Sequence, residues 1–322
     1  MRLREGLRVV RRADDEVQVG TDPRWAVRVG DLRPDEVAAL VAVDAEAGHR
    51  TLPIGTERLR EVAHQLDQAH LATSRTASRV RRGPGAYDVA AWDLVDGTGR
   101  ERMARRAAAG VGVLGLGPTG LSAALHLAAV GVGTVLVDDD RPVRSLDVGP
   151  WGYRWEDVGV ERTVVAARIL RDVAPDVALE STRAPDVLVV VEHGAADPVR
   201  AALLLSEGVP HLSVLVREAD VVVGPLVTRT GAPCLHCVEL HHSDLDPAWG
   251  RVADAIARPA RDGAEGTVLA SVAGAVASAA VVDHLDTGAR LAASYEIGLP
   301  DAVPRRRDWA AHPSCGCAAQ SS

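Results

Sequence analysis

Lysine, phenylalanine and asparagine do not occur in this 322-residue sequence, so all 36 of its basic residues are arginine. Without lysine, no side-chain amine can form a Schiff base, cradle phosphate as in a Walker loop or act as a tuned amine base. A surplus of positive charge is missing too. The formal net charge is -8 and the pI near 5.8, whereas a nucleic-acid surface needs clustered cations to displace counterions from phosphate. No partner of that class is expected. No apolar run reaches the ~18 uninterrupted residues of a membrane span, and the N-terminal stretch MRLREGLRVVRR has no apolar signal region. Neither a membrane partner nor secretion is expected, and a cytoplasmic location follows. Cysteine is scarce: the four present form two close pairs, which in a reducing compartment suits metal binding better than disulfides.

With 47% hydrophobic and 25% charged residues, the chain has the composition of a globular protein, and its length allows two domains. Residues 1–75 open with three short β-rich runs at 7–12, 16–20 and 25–29, which read as a meander. Two helices follow, from about Pro34 to Ala45 and from about Thr56 to Ala72, with Thr56 as N-cap of the second. Residues 76–105, rich in Arg, Ser and Gly, read as a linker ending in a short basic helix. From 106 to 322, runs made almost wholly of Val and Leu alternate with amphipathic helices. That pattern predicts an α/β fold, with a doubly wound, mostly parallel sheet covered on both faces.

Gly115-Leu116-Gly117-Pro118-Thr119-Gly120 follows an expected strand and opens an expected helix. There the first glycine permits the tight turn, the second admits phosphate to the backbone and the third lets helix pack on strand. Asp138 ends the next strand, 18 residues after Gly120, where a carboxylate can hold ribose hydroxyls. Loop and acid together favour a nucleotide pocket, but they leave hydride transfer and adenylyl transfer both open. Trp151, Tyr153 and Trp155 fall nearby and are expected to fill space that nucleotide would take.

Cys234-Leu235-His236-Cys237 and Cys315-Gly316-Cys317 stand 78 residues apart. Four thiolates make a closed tetrahedral site suited to structural Zn²⁺, with His236 and His312 as substitute ligands. A redox-active Cys-x-x-Cys is the alternative. Arg305-Arg306-Arg307 reads as an exposed turn.

The order of these features resembles the ThiF/MoeB family over about two-thirds of the chain. The shared features are the glycine loop, the Asp-x-Asp after the second strand, a Cys-x-x-Cys after PLVTRTGAP, a small-residue helix GTVLASVAGAVASAAVVDHL and a last cysteine pair. The resemblance implies a Rossmann-like fold that adenylates the C-terminus of ubiquitin-like carrier proteins with ATP and Mg²⁺. It assigns Gly115, Gly117, Gly120, Asp138 and Asp140 to nucleotide, and Cys234, Cys237, Cys315 and Cys317 to zinc. It also implies a homodimer. The catalytic positions depart from the family pattern. An Asn-Leu-x-Arg-Gln segment becomes RPVRSLDVGPWGYR, a phosphate-binding lysine becomes Arg162, and a Thr-Asp-Asn triplet becomes Glu192-His193-Gly194. Arg144, Arg162 and Glu192 are the remaining candidates for cation and metal-binding roles. Neutralising a pentavalent phosphorus and departing pyrophosphate needs such groups, so their loss predicts a weakened adenylation site.

The layout of residues 1–75 resembles a winged-helix, PqqD-like peptide-recognition element, which binds an extended leader peptide by strand addition. The docking edge falls at about Trp25 to Val29, with Trp25, Val27 and Val29 as contacts. A structural cap or a DNA-binding wing are the other readings. Fused to a degenerate ThiF-like domain, this element resembles the leader-peptide-binding partner proteins of thiazole/oxazole-modified peptide pathways. The implied partners are a ribosomally made precursor peptide and a YcaO-type cyclodehydratase.

Overall fold

The computed structural model describes residues 1–4, 6–45, 50–73, 83, 85–228, 233–256 and 265–317. The chain divides between Met103 and Ala104 into two compact units, taken here in turn.

In the first unit, β1 (Arg2–Leu3) pairs with β5 (Ala72–Thr73), and β2 (Val9–Arg11), β3 (Val17–Val19) and β4 (Val27–Val29) form an antiparallel sheet in that order. Alternation sets its faces: Val17, Val19 and Val29 point into the core, while Gln18 and Arg28 lie opposite. α1 (Pro34–Ala45) begins on a proline whose missing N–H costs nothing at that position. α2 (Glu57–Gln68) is capped by Thr56, whose hydroxyl oxygen accepts from Leu59 N at 3.1 Å, and it buries Leu59, Val62, Ala63 and Leu66. Glu36 ties the two helix starts together by accepting from Arg33 N (3.0 Å) and the Thr56 hydroxyl (2.5 Å). Two further helices, α3 (Ala86–Val95) and α4 (Gly99–Ala108), occupy part of the span expected as a linker. Residues 76–82 and 84 of that span lie outside the described residues.

The second unit is built on a seven-stranded sheet. Its elements in chain order are β6 (Gly110–Leu114), α5 (Pro118–Ala129), β7 (Thr134–Asp138), α6 (Arg162–Val173), β8 (Val187–His193), α7 (Pro198–Glu207), β9 (His211–Val216) and β10 (Asp220–Val227). There follow α8 (Leu235–Leu245), α9 (Trp249–Ile256), α10 (Thr267–Thr287), β11 (Ala293–Gly298) and β12 (Arg305–Asp308). The spatial order is β12-β11-β10-β9-β8-β6-β7. β7, β6, β8 and β9 run parallel, and β10 to β12 extend the sheet antiparallel. The mostly parallel sheet anticipated from the Val-rich runs is therefore its nucleotide-loop half. The three arginines expected as an exposed turn instead form β12, where paired charges blunt the sheet edge.

α10 is long and apolar enough to cross a membrane by length and composition alone, but Leu269, Ala270, Ala273, Ala277 and Val281 are built into the core. It crosses α5 closely: a Cβ on Gly274 would come within 2.4 Å of Ser122 Oγ, and the Ser278 hydroxyl donates to the Ala123 carbonyl at 3.0 Å. At its far end Asp286 receives Arg106 Nη2 at 2.6 Å, a buried ion pair.

Candidate functional site

The strand order reverses about β6, so the carboxyl ends of β6 and β8 bound a crevice, the usual place for a ligand in open α/β sheets. The glycine loop closes one side. Gly115 has φ +86°, and a Cβ there would lie 2.6 Å from the Val191 carbonyl; one on Gly120 would lie 1.9 Å from the Gly115 carbonyl. Both positions require glycine for the turn and for close packing.

The acid that meets the loop backbone is Asp139, which stands between the two carboxylates assigned to nucleotide. Asp138 and Asp140 are exposed, while Asp139 is buried and accepts from Leu116 N at 2.7 Å. The Leu116 carbonyl is held as well, receiving the Tyr153 hydroxyl at 2.8 Å. Leu116 is thus held at both its N–H and its carbonyl. Burial opposes ionisation of Asp139, but hydrogen bonds from Arg141 and Leu116, with the charge of Arg162, outweigh it and hold its carboxyl at about 2.

Arg162, expected to face phosphate, is 1% exposed and turned inward. Its Nη1 donates to Asp139 at 3.0 Å and its Nη2 to Asp147 at 2.5 Å. Arg144 is engaged by the same Asp147, through Nη2 at 2.8 Å. Glu192, expected as a displaced metal carboxylate, receives Arg200 Nη1 at 2.5 Å and the Asp197 amide at 3.1 Å beside the start of α7. The three groups considered for phosphate and metal therefore already have partners within the chain. Trp151 and Tyr153 are buried in the core, as a space-filling role requires, but Trp155 is 73% exposed and fills nothing.

Across the crevice stands a residue the sequence did not single out. Glu265, just ahead of α10, has a side chain only 1% exposed. Its Oε2 accepts from Thr119 N in the first turn of α5 at 2.7 Å, and its Oε1 lies 3.1 Å from His193 Nε2 at the end of β8. Burial disfavours its charge, yet bonds from His193 and Thr119 bring its carboxyl below the usual range.

The two cysteine pairs converge on one point. Cys234 opens α8 and Cys237 lies one turn on. Cys315 and Cys317 come from the C-terminal segment, with Cys315 N donating to the His312 carbonyl at 2.9 Å. Sulfur separations are 3.9 Å (Cys234 to Cys237), 3.6 Å (Cys234 to Cys315) and 3.3 Å (Cys237 to Cys317). A tetrahedron of Zn–S bonds of about 2.3 Å has edges of about 3.8 Å, so the cluster fits a metal ion such as zinc. Burial pushes the Cys234 thiol up to about 11, and a bound cation is what would make such a thiol a thiolate. The substitute ligands are not in the cluster: His236 is exposed, and His312 Nε2 meets Asp244 at 2.9 Å. His241, Asp244 and His312 form a second, smaller group of metal-ligating side chains.

In the first unit, Trp25 lies beside β4 with the Arg24 guanidinium 4.4 Å over its ring. Val29 is buried, whereas Val27 is only partly so. Among the described residues β4 pairs only with β3, which leaves one backbone edge open.

Residues 90–224 match the sequence profile of the ThiF family. The chain carries a ThiF-family domain. No curated protein sequence matches it. Among solved structures it is similar to E. coli MccB with AMPCPP and MccA, at TM-score 0.72 and 14% identity over 98% of both chains. It is also similar to the microcin C7 biosynthetic enzyme MccB in complex with N-formylated MccA (TM-score 0.70, 14% identity, 98% of both chains). PaaA is a third, at TM-score 0.69 and 16% identity over 95% of this chain and all of that one. At these identities the likeness is one of fold, and it extends over both units.

Proposed function

We propose that this protein binds the leader of a ribosomally made precursor peptide and presents it to a YcaO-type cyclodehydratase, with its own adenylation site in disuse. The observation that carries this reading is the commitment of Arg144, Arg162 and Glu192 to internal ion pairs. Adenylation needs cations free to neutralise the leaving pyrophosphate, and Arg162 sits where two aspartates consume its charge. Support for a peptide partner comes from MccB, whose similar fold is seen with MccA. The open edge of β4 offers the backbone donors and acceptors that strand addition uses, with Trp25 and Val27 as side-chain contacts. In this reading the first unit is a winged-helix-like recognition element, the cysteines hold structural Zn²⁺, and the protein is a cytoplasmic homodimer. Zinc there would tie the C-terminal segment to α8 and supply no chemistry.

A fluorescently labelled precursor peptide tests the reading by anisotropy. Trp25→Ala, or Arg28→Pro, which removes the β4 backbone donor that faces away from β3, is expected to weaken binding at least tenfold; unchanged binding removes this edge. The second reading is an active adenylyltransferase, favoured by a glycine loop whose steric demands are intact and by Asp138, exposed at its rim. ATP–pyrophosphate exchange dependent on the peptide would establish it in place of the first.

A further inference from the structure

We propose that Glu265 is an internal ligand of the glycine loop, competing with an incoming nucleotide phosphate for the amino end of α5. Phosphate binding at such a loop uses the backbone N–H groups of the first helical turn and the space left by the second glycine. Here one of those N–H groups and that space are taken. Thr119 N donates to Glu265 Oε2 at 2.7 Å, and a Cβ on Gly117 would fall 2.1 Å from Oε1, so the space that glycine leaves holds a carboxylate oxygen. The Thr119 hydroxyl, fully buried in the same turn, makes no hydrogen bond of normal geometry, yet it lies close enough to the Glu265 carboxylate to help hold its charge, a donor poorly used in a cradle only partly filled by a carboxylate. His193, on the β8 side, closes the other flank at 3.1 Å.

Two anions cannot share this position. A phosphate within about 4 Å of a buried carboxylate meets repulsion that the low local dielectric leaves nearly unscreened. Entry of phosphate therefore requires Glu265 to leave. Because Glu265 stands two residues before α10 begins at Thr267, its departure would release the start of that helix from the loop. By linkage, anything that holds α10's first turn in place weakens nucleotide binding, and nucleotide weakens that hold by the same factor.

The test is calorimetric titration of the full chain with ATP and, separately, with inorganic phosphate, and it needs no turnover. Glu265→Ala is expected to bind both probes at least tenfold more tightly than the natural chain, and Glu265→Gln, which keeps an acceptor for Thr119 N, by a smaller factor. Glu180→Ala, an exposed carboxylate elsewhere, is expected to change neither. Thermal melts identify which variants are folded, the isosteric Gln variant guarding against collapse of the Ala one. Unchanged affinity in the folded variants, including no measurable binding by any chain, overturns the proposal. So does a gain for ATP without one for phosphate. Neither result bears on the peptide reading, because anisotropy with the labelled precursor is a separate measurement on the first unit.

Discussion

The glycine-loop crevice and the cysteine cluster are both lined by buried polar side chains, but they are satisfied in opposite ways. In the crevice, each buried carboxylate is met by donors from the same chain: Asp139 by Arg141 and Arg162, Asp147 by Arg144 and Arg162, Glu265 by Thr119 N and His193. In the cluster, four sulfurs face one another at 3.3 to 3.9 Å along the contacts between them, and the donors they offer each other are weak. The first arrangement is matched within the chain except for the Thr119 hydroxyl, and the second is one that a cation could complete. Donor atoms converging on one point therefore suit a ligand, whereas charges paired off within the chain suit architecture.

Removing the ion should have the largest effect. If the cluster holds zinc, one equivalent of metal per chain should appear by atomic absorption, and Cys315→Ser or chelation should lower Tm by about 10 °C or more. Peptide binding should persist at temperatures where the variant is folded. A chain without metal whose Tm matches the natural one would erase the contrast between the two regions. The next effect is expected in the crevice. Arg162→Met leaves Asp139 and Asp147 buried with less compensation, a loss of about 3–5 kcal/mol in urea unfolding. Substituting Asp147→Asn as well should recover part of it. An Arg162 variant of undiminished stability would mean that this network is not what holds the loop.

These contrasts were unevenly legible in the sequence. Local rules placed α1, the Thr56 cap, the β2 to β4 meander and the four parallel strands, because each depends on neighbours in the chain. The cysteine pairs were legible because few residue types can do what four thiols do. The role of Asp139 in holding the loop backbone was not, since successive side chains at a strand end point to opposite sides and the motif fixes only spacing. A signal for the ion network was present but unread. Arg-x-x-Asp-Val-Gly occurs at 144–149 and again at 154–159. Each copy makes a short turn in which the Asp carboxylate accepts the Arg backbone N–H, at 2.9 and 2.8 Å, and then binds an arginine of α6. Glu265 had no local signal at all: 146 residues separate it from Thr119, and only the packing of α10 on α5 brings them together.

The smallest expected effect concerns acid. Asp139 has a folded-state pKa of about 2, below the ~3.9 of an unfolded aspartate. A depressed carboxylate contributes stability that is fully present above the unfolded value and is lost as pH falls through the folded one, here between about pH 4 and pH 2. With roughly 1.4 kcal/mol for each pKa unit, the contribution is about 2–3 kcal/mol. Other carboxylates titrate in the same window, so the informative quantity is the difference between the natural chain and Asp139→Asn. Urea unfolding should show the variant less stable at pH 6 and the gap closing towards pH 2, because protonation then does to the natural chain what the substitution has already done. A gap of the same size at both ends would mean that the carboxylate's charge is not what pins Leu116, and that the loop is held by packing and Tyr153 alone.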